Sequence, residues 1–160
     1  MIEILEMRDA EVHELLKRVG YGHLACSRDD QPYVVPINYV FDGEDIFIYT
    51  TAGLKTDVIK SNPKICLQVE ELLPEEGAWR SAVVVGEAYE IVDRAERERA
   101  VELVRQSNPT LLPALAIKWA NDWMKKNVEV VYKVKIISLT GRFTSDIKMA
   151  AASARPTFLR

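Results

Sequence analysis

The stretch "IYTTAGLKTDVIKSNPKICLQVE", residues 48–70, contains a strand, a turn, a helix and a second strand in quick succession. Its first apolar run is typical of a strand, and a helix-like run follows at 54–61. Asn62-Pro63 ends that helix, because proline supplies no backbone N–H and disfavours helical backbone in the residue before it. The next apolar run, residues 64–70, predicts another strand.

The rest of the chain adds strands in mostly consecutive hairpin order. Asp42-Gly43 is a strong hairpin signal, and Gly86 inside a long apolar run indicates a bulge or a sharp barrel corner. The further predicted strands are 21–27, 33–41, 44–51, 79–92 and 128–141. The predicted class is therefore mainly β with peripheral helices: a six-stranded antiparallel barrel, closed so that few edges stay unpaired.

Three further helices are expected around this barrel. Residues 8–19 have an amphipathic pattern that ends at Gly20, and residues 93–106 begin with a D-x-x-E capping pattern. Residues 114–125 form the third. Acidic and basic residues are balanced in 93–106, so we interpret it as a solvated outer face and not a nucleic-acid contact.

Length and composition favour one soluble domain over residues 1–160. The chain has 160 residues, a net charge of -3 and no apolar run long enough to span a bilayer, so neither nucleic acid nor membrane is an expected partner. The N-terminus has no signal-peptide pattern. Cys26 and Cys66 lie in apolar runs, which favours buried thiols in a reducing, cytoplasmic setting and leaves a single disulfide as the alternative.

The usual motifs of metal, hydrolytic and nucleotide-hydrolysing enzymes are missing from the sequence. There is no C-x-x-C, H-E-x-x-H, G-x-S-x-G, G-x-G-x-x-G or P-loop, and the only histidines are His13 and His23. No metal site is predicted, and no side chain is assigned a catalytic role.

The turn after Tyr49 gathers groups that suit an anion. Thr50 and Thr51 supply hydroxyls, Gly53 permits a tight turn, and Lys55 supplies a charge where a helix begins. These residues therefore indicate a phosphate site. The alternative is an ordinary turn with a helix cap, because the same residue types are common in turns.

Two other stretches have features that a ligand could use. Pro36 lies within an apolar run and lacks an N–H, so neighbouring backbone groups are free to bond a flat heteroaromatic ring. Further on, Arg80 could reach a phosphate and Ser81 could donate to a ring atom. The alternatives are an irregular strand at Pro36 and a surface arginine beside a half-buried Trp79.

Together these stretches resemble the FMN-binding split β-barrel superfamily, the relatives of pyridoxamine 5'-phosphate oxidase. The resemblance is closest to its short flavin-nucleotide-binding, 5-nitroimidazole reductase-like branch. It covers residues 20–71 and 79–93, and weakly 131–143. It implies a split barrel that binds FMN in a groove between the two subunits of a homodimer. The tail at about 150–160 would then pack on the partner subunit.

The resemblance also implies roles for twelve residues. Those lining the isoalloxazine ring would be Val35, Pro36, Ile37 and Asn38. Those following the ribityl chain would be Tyr49, Thr50 and Thr51. Those binding the phosphate would be Lys55 and Thr56. Those completing the site would be Trp79, Arg80 and Ser81.

Two departures limit what the resemblance implies about activity. Many reductase-like relatives carry histidine where this chain has Tyr49, so a mechanism based on that histidine is not expected. The tail also lacks the arginine- and histidine-bearing segment with which the true oxidases hold substrate, so a vitamin B6 enzyme is not expected. What remains is an FMN-binding protein, predicted to be a flavin-dependent oxidoreductase acting on a small molecule.

Two alternatives to that function stay open. Haem binding or haem breakdown on the same barrel needs an axial ligand, for which His23 and His13 are the candidates. A non-catalytic module that binds flavin or a deazaflavin is the other.

Overall fold

The computed structural model of the chain describes residues 2–73, 78–107 and 129–146. These residues form eight strands and three helices, in this order: β1 (Ile2–Glu6), α1 (Asp9–Val19), β2 (Tyr21–Arg28), β3 (Gln31–Asn38), β4 (Val40–Phe41), β5 (Ile46–Thr51), α2 (Leu54–Ser61), β6 (Lys64–Leu72), β7 (Trp79–Glu90), α3 (Arg94–Ser107) and β8 (Glu129–Asp146). The helix predicted at 114–125 and the tail at 150–160 lie outside the described residues.

The strands pair antiparallel in the order β3-β2-β6-β7-β8-β5-β4, with β1 on β8. β3 and β4 are neighbours in the chain but lie at opposite ends of this order, so the sheet curls round into a barrel. At Tyr39 the chain leaves β3, and its N–H donates to the Gly20 carbonyl at 3.0 Å. The mainly β class and the split antiparallel barrel are confirmed.

The predicted number of six strands is wrong. Tyr39 divides the predicted strand 33–41 into β3 and β4: its bond to Gly20 continues the β2–β3 register, and the next residues, Val40 and Phe41, pair with β5 instead. β1 is a strand that the sequence analysis did not predict. It pairs with the C-terminal end of β8, where Glu6 lies opposite Arg142.

One hydrophobic core fills the barrel and includes helices α1 and α2. Leu15 and Leu16 of α1 and Val58 and Ile59 of α2 pack on the inward-facing residues of the strands. Helix α1 ends at Gly20, whose φ of 64° is the left-handed conformation that glycine favours at a helix end. The predicted end of this helix is therefore confirmed.

Helix α3 packs on the opposite side of β5. Ala100 of α3 is buried with Phe47 of β5 and Val131 of β8. Residues of β5 therefore alternate between the barrel core and α3, as the period of a strand requires.

A bulge interrupts the β7–β8 pairing at the predicted glycine, with the extra residue, Ile137, on β8. The register of β7 on β8 shifts between Val85 and Gly86. A Cβ on Gly86 would lie 2.6 Å from the Lys135 carbonyl oxygen, so the neighbouring backbone approaches more closely than a side chain permits.

Candidate functional site

The turn between β5 and α2 carries the predicted phosphate residues. Lys55 is half-buried, and its ammonium donates to the Thr51 carbonyl at 3.1 Å. Burial lowers the pKa of Lys55. A lysine that has lost part of its hydration gains more from an anionic partner than a fully solvated one, so this turn suits a phosphate.

The other residues of this turn have different roles. Thr56 is buried, and its hydroxyl accepts from the Gly53 N–H at 2.9 Å and donates to the Gly53 carbonyl at 2.7 Å. It therefore caps the helix. Gly53 has a φ of 165°, an extended conformation that any residue adopts, and a Cβ there would meet nothing within 4 Å. The space beside the helix start is open.

Tyr49 and Thr50 pair with Val131 and Val130 of β8, and their side chains lie on opposite faces of β5. Tyr49 packs against the small buried cluster of Val40 and Val104, the latter from α3. Burial, reinforced by a hydrogen bond with Glu129, raises the pKa of Tyr49. Thr50 faces the other way and is half-exposed, and Thr51 is exposed.

Residues 35–38 lie on the strand that borders the split in the barrel. β3 is the first strand of the order, so β2 is its one partner among the described strands. Its other edge approaches β5. Pro36 is exposed and Ile37 is buried, with Val35 and Asn38 intermediate. The structure thus brings two predicted groups, 35–38 and the Tyr49–Thr51 strand end, to the two sides of the split.

The third group, at the start of β7, is divided between two faces. Trp79 and Ser81 point the same way and line one cavity. Arg80 alternates to the other face, near α1. There Glu11 has its pKa lowered chiefly by its hydrogen bond with Arg8, and the charge of Arg80 adds to this. A flavin contact for Arg80 stays a prediction.

The third group also lies far from the Lys55 turn within one subunit. Val130, the partner of Thr50, is near one end of β8, and Arg142, the partner of Ser81, is near the other. At about 3.3 Å per residue, the contour of β8 between them is on the order of 40 Å. One subunit therefore holds the two groups apart.

The cavity at Trp79 is a groove of about 610 Å³, which is within the range of ligand pockets. Its lining includes Trp79, Ser81 and Val83 from β7 and Thr140 and Arg142 from β8. Glu6 and Asp9 line it from β1 and α1. We call this cavity the β7–β8 groove.

A chain of hydrogen bonds runs from β2 to Ser81. His23 Nδ1 lies 3.1 Å from Gln68 Oε1, and Gln68 Nε2 donates to Ser81 Oγ at 3.4 Å and to Glu70 Oε2 at 3.2 Å. Sequence reasoning missed Gln68 and Arg142. The alternation in "LQVEE" marks Gln68 and Glu70 as sharing a face, but the sequence does not show which strand lies opposite.

The two histidines have neighbours that suit packing or polar roles. The His23 ring contacts Tyr21 with centroids 5.8 Å apart, and the His13 ring contacts Phe41 at 5.3 Å. Within residues 2–73, 78–107 and 129–146, no group of three or more His, Cys, Asp or Glu side chains is arranged to hold a metal ion. No helix in those ranges is long and apolar enough to cross a membrane.

The strand order and the split define the class: a split barrel of the kind found in pyridoxamine 5'-phosphate oxidase-like proteins. The chain resembles the crystal structure of a FAD-binding protein from Mesorhizobium loti, with a TM-score of 0.73, 25% identity and coverage of 91% of this chain and 100% of that one. A structure named as a 5-nitroimidazole antibiotic resistance protein from Bacteroides thetaiotaomicron has the same fold, with a TM-score of 0.68, 16% identity and coverage of 90% and 89%.

The sequence family described as pyridoxamine 5'-phosphate oxidase matches residues 8–143. The chain therefore belongs to the pyridoxamine 5'-phosphate oxidase family. An uncharacterised protein of Rhizobium meliloti is 44% identical over 70 residues, which are 44% of this chain and 46% of that protein. The match thus spans about half the length of that curated relative.

Proposed function

We propose that this protein binds FMN between the two subunits of a homodimer and acts as a flavin-dependent oxidoreductase on a small molecule. The observation that carries the proposal is the split between β3 and β5. Among the described strands, 35–38 is an unpaired edge on one side of the split, and the split leads to the half-buried Lys55 beside open space at Gly53. The Mesorhizobium loti relative is named for FAD, which supports a flavin.

The residues of this chain would bind the two ends of the cofactor differently. The free backbone groups of β3 suit the polar edge of a flat ring. The Lys55 ammonium, held by the Thr51 carbonyl, suits a terminal phosphate. The bound flavin would supply the redox chemistry, and the protein would supply orientation and exclusion of water.

The separation of the Lys55 turn from Trp79 and Ser81 supports a second subunit. A single flavin could touch both only if one group came from each copy. The row Val34, Ala25, Cys66, Val85 crosses β3, β2, β6 and β7, because these residues are successive register partners. We call the face carrying this row the outer face. Val34 is 58% exposed and Val85 42%, so this apolar face suits burial against a second copy.

A cytoplasmic location is part of the proposal. Cys26 is buried and Cys66 is half-buried, and both are free thiols. They lie on opposite faces of neighbouring strands, so the disulfide alternative is not formed. Free thiols are typical of a reducing compartment.

The test is the visible absorption spectrum of the purified protein, followed by identification of the chromophore released on denaturation. We expect the two-banded spectrum of a flavin, FMN as the released compound, and bleaching by NADH or NADPH. FAD in place of FMN would correct the cofactor, and a Soret band would support the haem alternative. Intact binding without reduction by either nucleotide would favour the non-catalytic module. A colourless protein that refuses added FMN would refute the proposal.

A further inference from the structure

We propose that the β7–β8 groove binds a planar aromatic monocarboxylate and that Arg142 is the residue that selects it. This inference rests on the proposed function, because it treats the aromatic acid as the substrate that binds beside the flavin. The binding itself is tested without assuming that reaction.

Three hydrogen-bond donors converge on the floor of the groove. Ser81 and Arg142 are direct register partners on β7 and β8, so their Cβ atoms lie about 5 Å apart on one face. Thr140 is two residues from Arg142 on the same face and opposite Val83. A guanidinium flanked by two hydroxyls matches the geometry of a carboxylate, which an arginine fork binds with two parallel bonds.

The hydrogen-bond chain sets the role of the Ser81 hydroxyl. Gln68 Nε2 donates to Ser81 Oγ, so the hydroxyl hydrogen of Ser81 remains for a further acceptor. Gln68 Nε2 also donates to Glu70 Oε2, a carboxylate that accepts, and this places the NH₂ of the amide on the side of Ser81. The groove therefore presents a donor at Ser81.

Arg142 stays outside the ion pairs that engage arginines such as Arg18 and Arg97, although Glu6 is its register partner on β1. Arg18 bonds Glu71 at 2.6 Å and Arg97 bonds the Glu129 carbonyl at 3.0 Å. Within the described part of the chain, Arg142 makes no ion pair, and it is exposed in the groove.

The other walls define the rest of the ligand. Trp79 and Val83 are apolar and suit a flat ring. Glu6, the register partner of Arg142, and Asp9 line the groove as well, so a carboxylate ligand must draw the guanidinium away from Glu6, and a second negative charge is disfavoured further. They also accept N–H or O–H donors. The matching ligand is a singly charged aromatic acid with an amino or hydroxyl group, and not a phosphate dianion.

Calorimetric titration of the FMN-loaded protein tests this with two probes, 4-aminobenzoate and its neutral isostere 4-aminobenzamide. We expect the carboxylate to bind about tenfold or more tightly than the amide, since a bidentate charged pair is lost with the amide. Arg142→Gln should remove that preference, and Ser81→Ala should weaken it. Arg99→Gln, an exposed arginine on α3, is the matched control and should change nothing.

Equal binding of the two probes by the wild-type protein, or an unchanged preference in Arg142→Gln, would overturn the proposal. So would a loss of affinity for FMN, but not for riboflavin, in Arg142→Gln, because Arg142 would then hold the flavin phosphate. Both probes are also titrated into protein without flavin. A preference for the carboxylate that persists there shows that the groove binds it even if the proposed FMN binding fails. Melting temperatures of all variants test whether each one keeps the fold. If Arg142→Gln does not fold, Thr140→Val is titrated with the same two probes in its place.

Discussion

Tyr39 and Tyr132 are buried equally, at 1% and 2% exposure, but their hydroxyls have different surroundings. The Tyr39 hydroxyl donates to the Leu16 carbonyl at 2.9 Å, near the end of α1. The Tyr132 hydroxyl has no hydrogen-bond partner among the residues that the structure describes. Burial alone therefore does not set the contribution of each hydroxyl to stability.

Tyr39→Phe should lower the free energy of unfolding by about 1–2 kcal/mol, because it leaves a buried carbonyl without its donor. Tyr132→Phe is the matched control and should be neutral or slightly stabilising, since it removes a buried hydroxyl that lacks a partner. Urea denaturation of both variants measures the difference. Equal losses in the two would contradict this account of the tyrosines.

The tyrosines also predict how stability depends on alkaline pH. Burial raises the pKa of Tyr132 to about 12. An acid whose pKa is higher in the folded protein stabilises fully below its unfolded pKa of about 10, and that stability falls as pH rises from there toward 12. Tyr132→Phe should therefore lose less stability than the wild type between about pH 9 and 11. Parallel losses in urea midpoint would show that Tyr132 does not titrate in this way.

Individual site residues were predictable only where the signal is local in sequence. The Lys55 turn could be proposed from sequence because its residues are contiguous, although Thr56 is used as a cap. Arg142 could not, because its proposed role depends on lying opposite Ser81 across two strands. Side chains alternate between the two faces of β7, so Arg80 lies on the opposite face from Trp79 and Ser81. Residue type alone does not reveal this.

At the scale of elements, two glycines have opposite surroundings. Gly86 lies opposite the bulge in β8, with the Lys135 carbonyl 2.6 Å from where a Cβ would lie. Gly53 opens α2 with nothing within 4 Å of that position. The first glycine is required by the sheet, whereas the second leaves space at the proposed phosphate site.

Gly86→Ala should destabilise the protein by about 2 kcal/mol or more, because a backbone strand must move to admit the methyl group. Gly53→Ala should keep the melting temperature within a few degrees of the wild type. Differential scanning calorimetry distinguishes them. A tolerated Gly86→Ala would contradict the close approach at the bulge.

The prediction of elements succeeded where the period is clear and failed at chain irregularities. The bounds of α1, α2 and β6 follow capping residues, proline and alternation. β1, "IEILE", is short and lacks clean alternation, so only its pairing with β8 defines it as a strand. The break at Tyr39 arises because the chain changes partner there, from β2 to β5, which no local pattern encodes.

At the scale of the whole molecule, the proposed dimer places the outer face against a second copy. Val85→Glu should give a monomer, because it puts a charge into the β7 end of the apolar row, which the second copy would bury. Val92→Glu is the matched control: Val92 is 87% exposed but lies beyond the end of β7, so it should leave the dimer intact. Sedimentation equilibrium measures both. A dimeric Val85→Glu protein, or a wild type that is monomeric, would refute an interface on this face.

The central claim is that one flavin is held by Lys55 of one subunit and Trp79 of its partner, and subunit mixing tests it most directly. Lys55→Ala and Trp79→Ala each damage both sites of a homodimer, whereas a mixed dimer regains one intact site. After the two variants are unfolded and refolded together, we expect about a quarter of all sites to bind FMN with wild-type affinity, because half of the dimers are mixed. No recovery on mixing would contradict the shared site.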